Sequence, residues 1–361
     1  MPTETAPLEQ PFFAQGIPVE VGNIQRELKK LWQDSHEMAT RASRLNLVIF
    51  STAQASLRAN TALVEQVAKQ HALRALLIAS KPQEDETKVR AWVNAHCQVS
   101  KSGQKQRCSE QIAIQLQGEA RTAGYVPNLV FSHLDSDLPL YFWRQGHFSN
   151  SPSEQLMAWV DCLIYDSADW PEPGAQFAII KKLAADANLE NGLADLNWTR
   201  LKGLRSAVAQ FFDAPDAQTA LGTLDALEIT HAPGARTQAI LLAGWLGVQL
   251  GWQVAGGSPW RQAGFRASDG RAVAVTFHEQ TGPGISKVIM RASEGGNFVV
   301  SRDANSKFFN TCAHCGAAGR EQTQVLPVGP EELAELVSDE LVHGGGHRVY
   351  SKVLELIRGW L

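Results

Sequence analysis

Apolar positions recur along this chain with two periods. Val21, Ile24, Leu28, Leu31 and Trp32 fall three and four apart and predict a helix with one core-facing stripe, with Asn23 placed to cap it. Leu45-Asn46-Leu47-Val48-Ile49-Phe50 is a short, nearly continuous apolar run and reads as a buried strand. Residues 61–71 read as a helix and 72–78 as a second strand, an order that predicts parallel pairing across a crossover helix. Further strands are expected at 111–116, 128–132, 140–143 and 162–165, with a helix over 153–160. Strands and helices that alternate in this way point to an open, Rossmann-like α/β sheet.

The stretch from Ser167 to Gly174 contains Pro171 and Pro173 and breaks the alternation. It divides the chain into an α/β Rossmann-like domain over 1–172 and a smaller α+β domain over 173–361. In the second, helices are expected at 177–187, 199–212 and 235–251, followed by strands near 271–278, 285–291 and 297–302. Two helices, 330–342 and 347–361, close the chain, the first with Pro330 at its start, where proline fits the first turn.

Composition narrows the function classes. With 361 residues, 44% of them hydrophobic, the chain can bury a substantial core in about two domains, and a net charge of −4 leaves no basic footprint for nucleic acid. Residues 1–18 have neither a basic start nor an apolar run, so no signal peptide is expected and the cytoplasm is the expected compartment. The longest apolar run, 239–250, is interrupted by Gly244, Gly247 and Gln249 and is shorter than the roughly 20 residues of a membrane span. It reads as a buried helix. Cys97, Cys108, Cys162, Cys312 and Cys315 are too few and too scattered for a disulfide framework, so reduced thiols are the default.

Among residues that carry chemistry, Asp195-Leu196-Asn197-Trp198-Thr199-Arg200-Leu201 stands out because it stacks polar and aromatic groups where an amphipathic helix begins. Trp offers flat contact area and Arg a rigid donor fork, both favoured where proteins bind proteins. The structural alternative is that Asp195 or Asn197 caps the helix while Trp198 plugs the inter-domain seam. Cys312-Ala313-His314-Cys315 could form a reversible disulfide, with His314 enriching the reactive thiolate. Its alternatives are inert thiols, or zinc shared with His343 and His347 at a spacing longer than a finger uses. Gly344-Gly345-Gly346-His347-Arg348 and Pro233-Gly234-Ala235-Arg236 could each cradle an anion, and each is also an ordinary turn before a helix. A sugar-phosphate- or nucleotide-binding enzyme built on those turns would use His343 or His347 as acid–base. Against it, Ser51-Thr52-Ala53-Gln54-Ala55-Ser56 after the first strand lacks the glycines of a phosphate loop. No catalytic residue, metal or cofactor is expected.

Residue identity adds a family. Ala194-Asp195-Leu196-Asn197-Trp198-Thr199-Arg200-Leu201, leading to Gln210-Phe211-Phe212-Asp213, resembles the glucose-6-phosphate dehydrogenase assembly protein family, OpcA. So do Ile17-Pro18-Val19-Glu20-Val21 with Ile24-Gln25-Arg26-Glu27-Leu28, and Asp137-Leu138-Pro139-Leu140-Tyr141-Phe142-Trp143, although the family more often has a second Trp in place of Arg144. The resemblance implies a non-catalytic partner of glucose-6-phosphate dehydrogenase that promotes its active oligomer or its affinity for substrate. It makes Trp143, Asp195, Asn197, Trp198, Thr199, Arg200 and Arg205 candidate partner contacts. It also suggests thioredoxin as a second partner acting on thiols, for which Cys312 and Cys315 are the candidates.

Overall fold

A computed structural model describes residues 16–34, 39–41, 43–52, 56–81, 87–99, 106–118, 125–148, 153–187, 189, 192–213, 215–258, 262–315, 320–345 and 347–360. The chain forms two compact units, one of residues 1–146 and 152–164 and one of residues 147–151 and 165–361. The second unit is the larger, which corrects the expectation of a smaller C-terminal domain.

The first unit contains β1 (Ile17–Val19), α1 (Ile24–Asp34), β2 (Ala39–Arg41), β3 (Leu45–Ser51), α2 (Ser56–Ala68), β4 (Leu73–Lys81), β5 (Lys88–Val99) and β6 (Gln106–Gln117). It continues with α3 (Val126–His133), β7 (Leu140–Arg144), α4 (Glu154–Met157) and β8 (Cys162–Tyr165), whose last residue, Tyr165, belongs to the second unit. The strands lie in the order β1-β5-β6-β4-β3-β7-β8, with β2 alongside β6. From β6 through β8 every neighbour is parallel. That is the strand order of a doubly wound sheet, whose switch point falls between β3 and β7. Leu47, Val48 and Ile49 of the central β3 are fully buried, as a strand covered on both faces requires.

Two local features depart from expectation. Residues 128–132 are helical, not a strand: α3 carries Pro127 in its first turn and buries Val126, Val130 and His133, which have helical spacing. Between β4 and β6 the chain inserts β5, antiparallel to β6, where a crossover helix would ordinarily lie. On this ladder Cys97 faces Cys108, and the two form a disulfide. The default of five reduced thiols is therefore corrected for this pair, because strand register brings together residues that sequence keeps apart.

The second unit begins with α5 (Pro173–Asp186), β9 (Leu193–Asp195), α6 (Leu196–Arg200) and α7 (Lys202–Gln210). Then come β10 (Leu224–His231), α8 (Arg236–Gln249), β11 (Gln253–Ser258), β12 (Gln262–Arg266), β13 (Ala272–Glu279), β14 (Ile285–Ala292) and β15 (Asn297–Ser301). It ends with β16 (Phe308–Cys315), β17 (Arg320–Pro327), α9 (Leu333–His343) and α10 (Arg348–Ile357). Among the described residues its eight-stranded sheet runs β11-β12-β13-β10-β14-β15-β16-β17, and only β10 and β13 pair in parallel. Alternate residues such as Leu227, Ile229, Val288, Met290, Phe298 and Val300 supply the buried face.

The apolar run 239–250 is the buried α8, and among the described residues no helix is long and apolar enough to cross a membrane. Gly244 and Gly247 let it press against α10: a Cβ on Gly244 would overlap Ile357, and one on Gly247 would lie 2.7 Å from Leu356 Cδ2. Gly203 does the same for α7, whose backbone sits directly on the Val328 carbonyl.

Candidate functional site

The second unit is organised around a carboxylate. Asp195 ends β9 and caps α6, its Oδ1 accepting from the Asn197 backbone N–H at 3.0 Å. The same oxygen accepts from the Ser167 N–H at 3.0 Å, while Oδ2 accepts from the Ser167 hydroxyl at 2.7 Å and the Tyr350 hydroxyl at 2.9 Å. Since Tyr350 spends its proton on Asp195, its oxygen is left to accept from the Tyr165 hydroxyl, 3.0 Å away. The Asn197 amide donates to Ser167 Oγ at 3.1 Å. Burial and the nearby charge of Asp166 raise the Asp195 pKa to about 6, against the pull of the Ser167 and Tyr350 donors. Burial, joined by Asp195 itself, pushes the Tyr350 phenol well above its ordinary value.

The rest of the motif extends from this core. Arg200 makes a two-toothed ion pair with Asp166, at 2.8 and 2.7 Å, and Asp166 in turn caps the short turn 167–169 through the Ala168 N–H. Thr199 Oγ1 lies 3.1 Å from the Asp195 carbonyl and also meets Glu340, a fully buried carboxylate on α9. Glu340 holds His347 Nε2 at 2.9 and 3.1 Å. The Arg205 guanidinium lies 3.7 Å over the Trp198 ring and donates to the Trp198 carbonyl at 2.7 Å. Its burial lowers the Arg205 pKa to about 10, with Glu340 acting in the opposite direction. Trp198 also packs against Tyr350, with ring centroids 5.3 Å apart.

This geometry corrects the reading of the motif as an exposed recognition edge. Trp198 is 3% exposed, and Asp195, Asn197 and Thr199 are likewise buried. Their polar atoms face inward because each finds its partner there. Arg200 and Arg205 keep part of their surface in solvent. Trp143 lies elsewhere, in β7 of the first unit, and at 2% exposure it too is core. Arg144 beside it stacks its guanidinium 4.7 Å over the Phe50 ring, and burial lowers its pKa to about 10. Asp166, Ser167, Tyr165, Glu340 and Tyr350 complete the network but lie far from the motif in sequence and carry no local pattern that marks them.

The cysteine motif lies on β16, which is paired in unbroken register from Phe308 to Cys315. Positions 312 and 315 are an odd number apart and so belong to opposite faces, about 10 Å apart along the strand, beyond what a disulfide bridges. The Cys315 side chain lies outside the described residues, whereas Cys312 Sγ approaches His314 Nδ1 at 3.6 Å. The zinc alternative loses its histidines to other partners: His343 Nδ1 meets the Asp339 carbonyl at 2.7 Å, and His347 is held by Glu340.

The glycine turns also have local work. Gly344, at φ 71°, is the left-handed cap that ends α9, and Gly234, at φ 86°, closes the turn in which the Ala235 N–H donates to the Ala232 carbonyl. Gly346 lies outside the described residues, as does part of the turn after β3, at 53–55.

Two family models match the chain. The glucose-6-phosphate dehydrogenase subunit N-terminal domain covers residues 64–182, and the C-terminal domain of the same subunit covers 191–354. Among relatives named provisionally as OxPP cycle protein OpcA, that of Synechococcus elongatus is 30% identical over 203 residues, 53% of this chain and 44% of its own. That of Synechocystis sp. is 26% identical over 266 residues, 70% of this chain and 52% of its own. The chain thus spans about half the length of the curated relatives it matches.

Among solved structures, a levoglucosan dehydrogenase complex with NADH aligns at TM-score 0.47 and 10% identity, over 86% of this chain and 94% of that one. An NAD binding oxidoreductase from Klebsiella pneumoniae aligns at TM-score 0.44 and 11% identity, over 88% and 89%. Likeness of that degree says nothing about nucleotide binding. The 137–143 segment falls within one family match and the 195–200 motif within the other, and the chain belongs to the glucose-6-phosphate dehydrogenase assembly family, OpcA.

Proposed function

We propose that this chain is a non-catalytic partner of glucose-6-phosphate dehydrogenase, which it binds and holds in its active form within the oxidative pentose phosphate cycle. The observation that supports this reading is the closure of the Asp195 network: both carboxylate oxygens are occupied by donors from the protein itself, so the acid at the head of the motif is committed to structure. Such an arrangement fixes the elements around it and suits a scaffold. An activator must bind the competent state of its target more tightly than the other state, and a coupling of about 1–3 kcal/mol shifts affinity roughly 5- to 150-fold. In this reading Trp143, Asp195, Asn197, Trp198 and Thr199 act by holding structure, and Arg200 and Arg205 are the motif residues with surface to offer a partner.

Thiol control of that partnership is placed at Cys97–Cys108 in preference to Cys312 and Cys315. Exchange with a reduced dithiol of the thioredoxin type would yield two thiols here and a disulfide there, a balanced two-electron transfer.

Size-exclusion chromatography of the protein mixed with the dehydrogenase from the same organism tests the partnership. A co-eluting complex of larger apparent mass is expected. Separate elution under both oxidising and reducing conditions would overturn the reading.

A further inference from the structure

A cleft of about 740 Å³ opens in the second unit between α5 and α10. Its floor is apolar, formed by Phe177 and Leu193, both buried, together with Leu354. It stays open because α5 presents small residues to it: Gly174, Ala178 and Ala185 line the cleft, and the two alanines, seven apart, share one helix face. Its rim is cationic. Lys181 reaches across to Glu355 at 2.5 Å, but Lys182, Lys352 and Arg358 are exposed and form no ion pair among the described residues. Four cations against one anion leave a local charge of +3 on a chain whose net charge is −4.

A small-molecule pocket needs polar groups converging inside it to fix the ligand, whereas here the charges ring an apolar trough. An amphipathic helix meets that arrangement, with apolar anchors at the bottom and acidic flanks on the rim. The cleft also shares elements with the buried network. Leu193 lies two residues before Asp195, and α10 carries Tyr350 into the network while Leu354, one turn on, lines the cleft.

From this geometry we infer that the cleft between α5 and α10 receives an acidic, amphipathic helix of the partner dehydrogenase. The inference rests on the partnership proposed above and adds the surface and the chemistry of the segment that fits it. The network around Asp195 then serves to fix one wall of the cleft.

Affinity for the dehydrogenase, measured at low and moderate salt, provides the test. One variant combines Lys182→Glu with Arg358→Glu, both at exposed positions; another, Ala178→Trp, fills the trough. Each is compared with wild type by circular dichroism and unfolding temperature. Binding weakened at least tenfold in both variants, with a shallower salt dependence after charge reversal, is the expected result. Wild-type affinity in the folded charge-reversal variant would overturn the inference while leaving the partnership standing. Failure of the wild type itself to bind would overturn both. Dodecanoate binding to the protein alone, abolished by Ala178→Trp while dehydrogenase binding persists, would make the cleft an amphiphile site and overturn the inference as well.

Discussion

A carboxylate withdrawn from water is costly unless donors replace its hydration, and Asp195 receives four. The balance sets a pH dependence. With a folded-state pKa of about 6 against roughly 3.9 in the unfolded chain, the folded state holds the proton more tightly. The stability this contributes is therefore complete below about pH 4 and lost as pH rises through 6, a change of about 3 kcal/mol. Urea unfolding of wild type and Asp195→Asn at pH 4.5 and 7.5 should show the advantage of wild type shrinking with pH; a constant difference would contradict this assignment. Asp195→Ala, by stranding four buried donors, should cost about 3 kcal/mol or more at any pH. At this scale the sequence made the helix cap legible, since Asp and Asn before an apolar stripe are cap residues. It could not show that Ser167 and Tyr350 would surround Asp195, because they arrive from distant segments.

Elements are held by close backbone approach as much as by side-chain burial. Gly203→Ala puts a methyl group into the Val328 carbonyl, so α7 must lift from the strand end beside it. A loss of about 1–3 kcal/mol in chemical denaturation is expected, and an unchanged midpoint would contradict the packing described. The cross-strand bond between Cys97 and Cys108, 11 residues apart, should contribute about 3 kcal/mol by restricting the unfolded chain. Dithiothreitol should accordingly lower the unfolding temperature of wild type and of Cys312→Ser alike, and have no effect once Cys97 and Cys108 are both Ser. A response lost in Cys312→Ser would return the redox role to β16.

The legibility of elements follows their burial. β3, β4, β7 and β8 are dense apolar runs and were readable. β5 places Val89, Ala91, Val93 and Ala95 at alternate positions with Arg90, Trp92 and Asn94 between them, a partial signal that the α/β expectation of a helix between strands obscured. β17, at the sheet edge, exposes nearly all of its described side chains and so has little apolar pattern to read.

At the scale of the whole molecule, the parallel core of the first unit was predictable from alternating strands and helices. The division into units was less so, because residues 147–151 belong with the second unit while 152–164 belong with the first. The motif was visible as a run of residue types, and its burial was one of two readings the sequence left open, since Trp and Arg occur in both cores and interfaces. What the fold makes of the motif is an inward-facing frame, and in the proposed function the chain acts through a bound enzyme.

Titrating this protein into glucose-6-phosphate dehydrogenase from the same organism, while following NADP reduction at subsaturating glucose 6-phosphate, tests that assignment most directly. A saturable rise in rate with added protein, and none from the protein alone, is the predicted result. No change in rate across the titration, with the disulfide either intact or reduced, would contradict it.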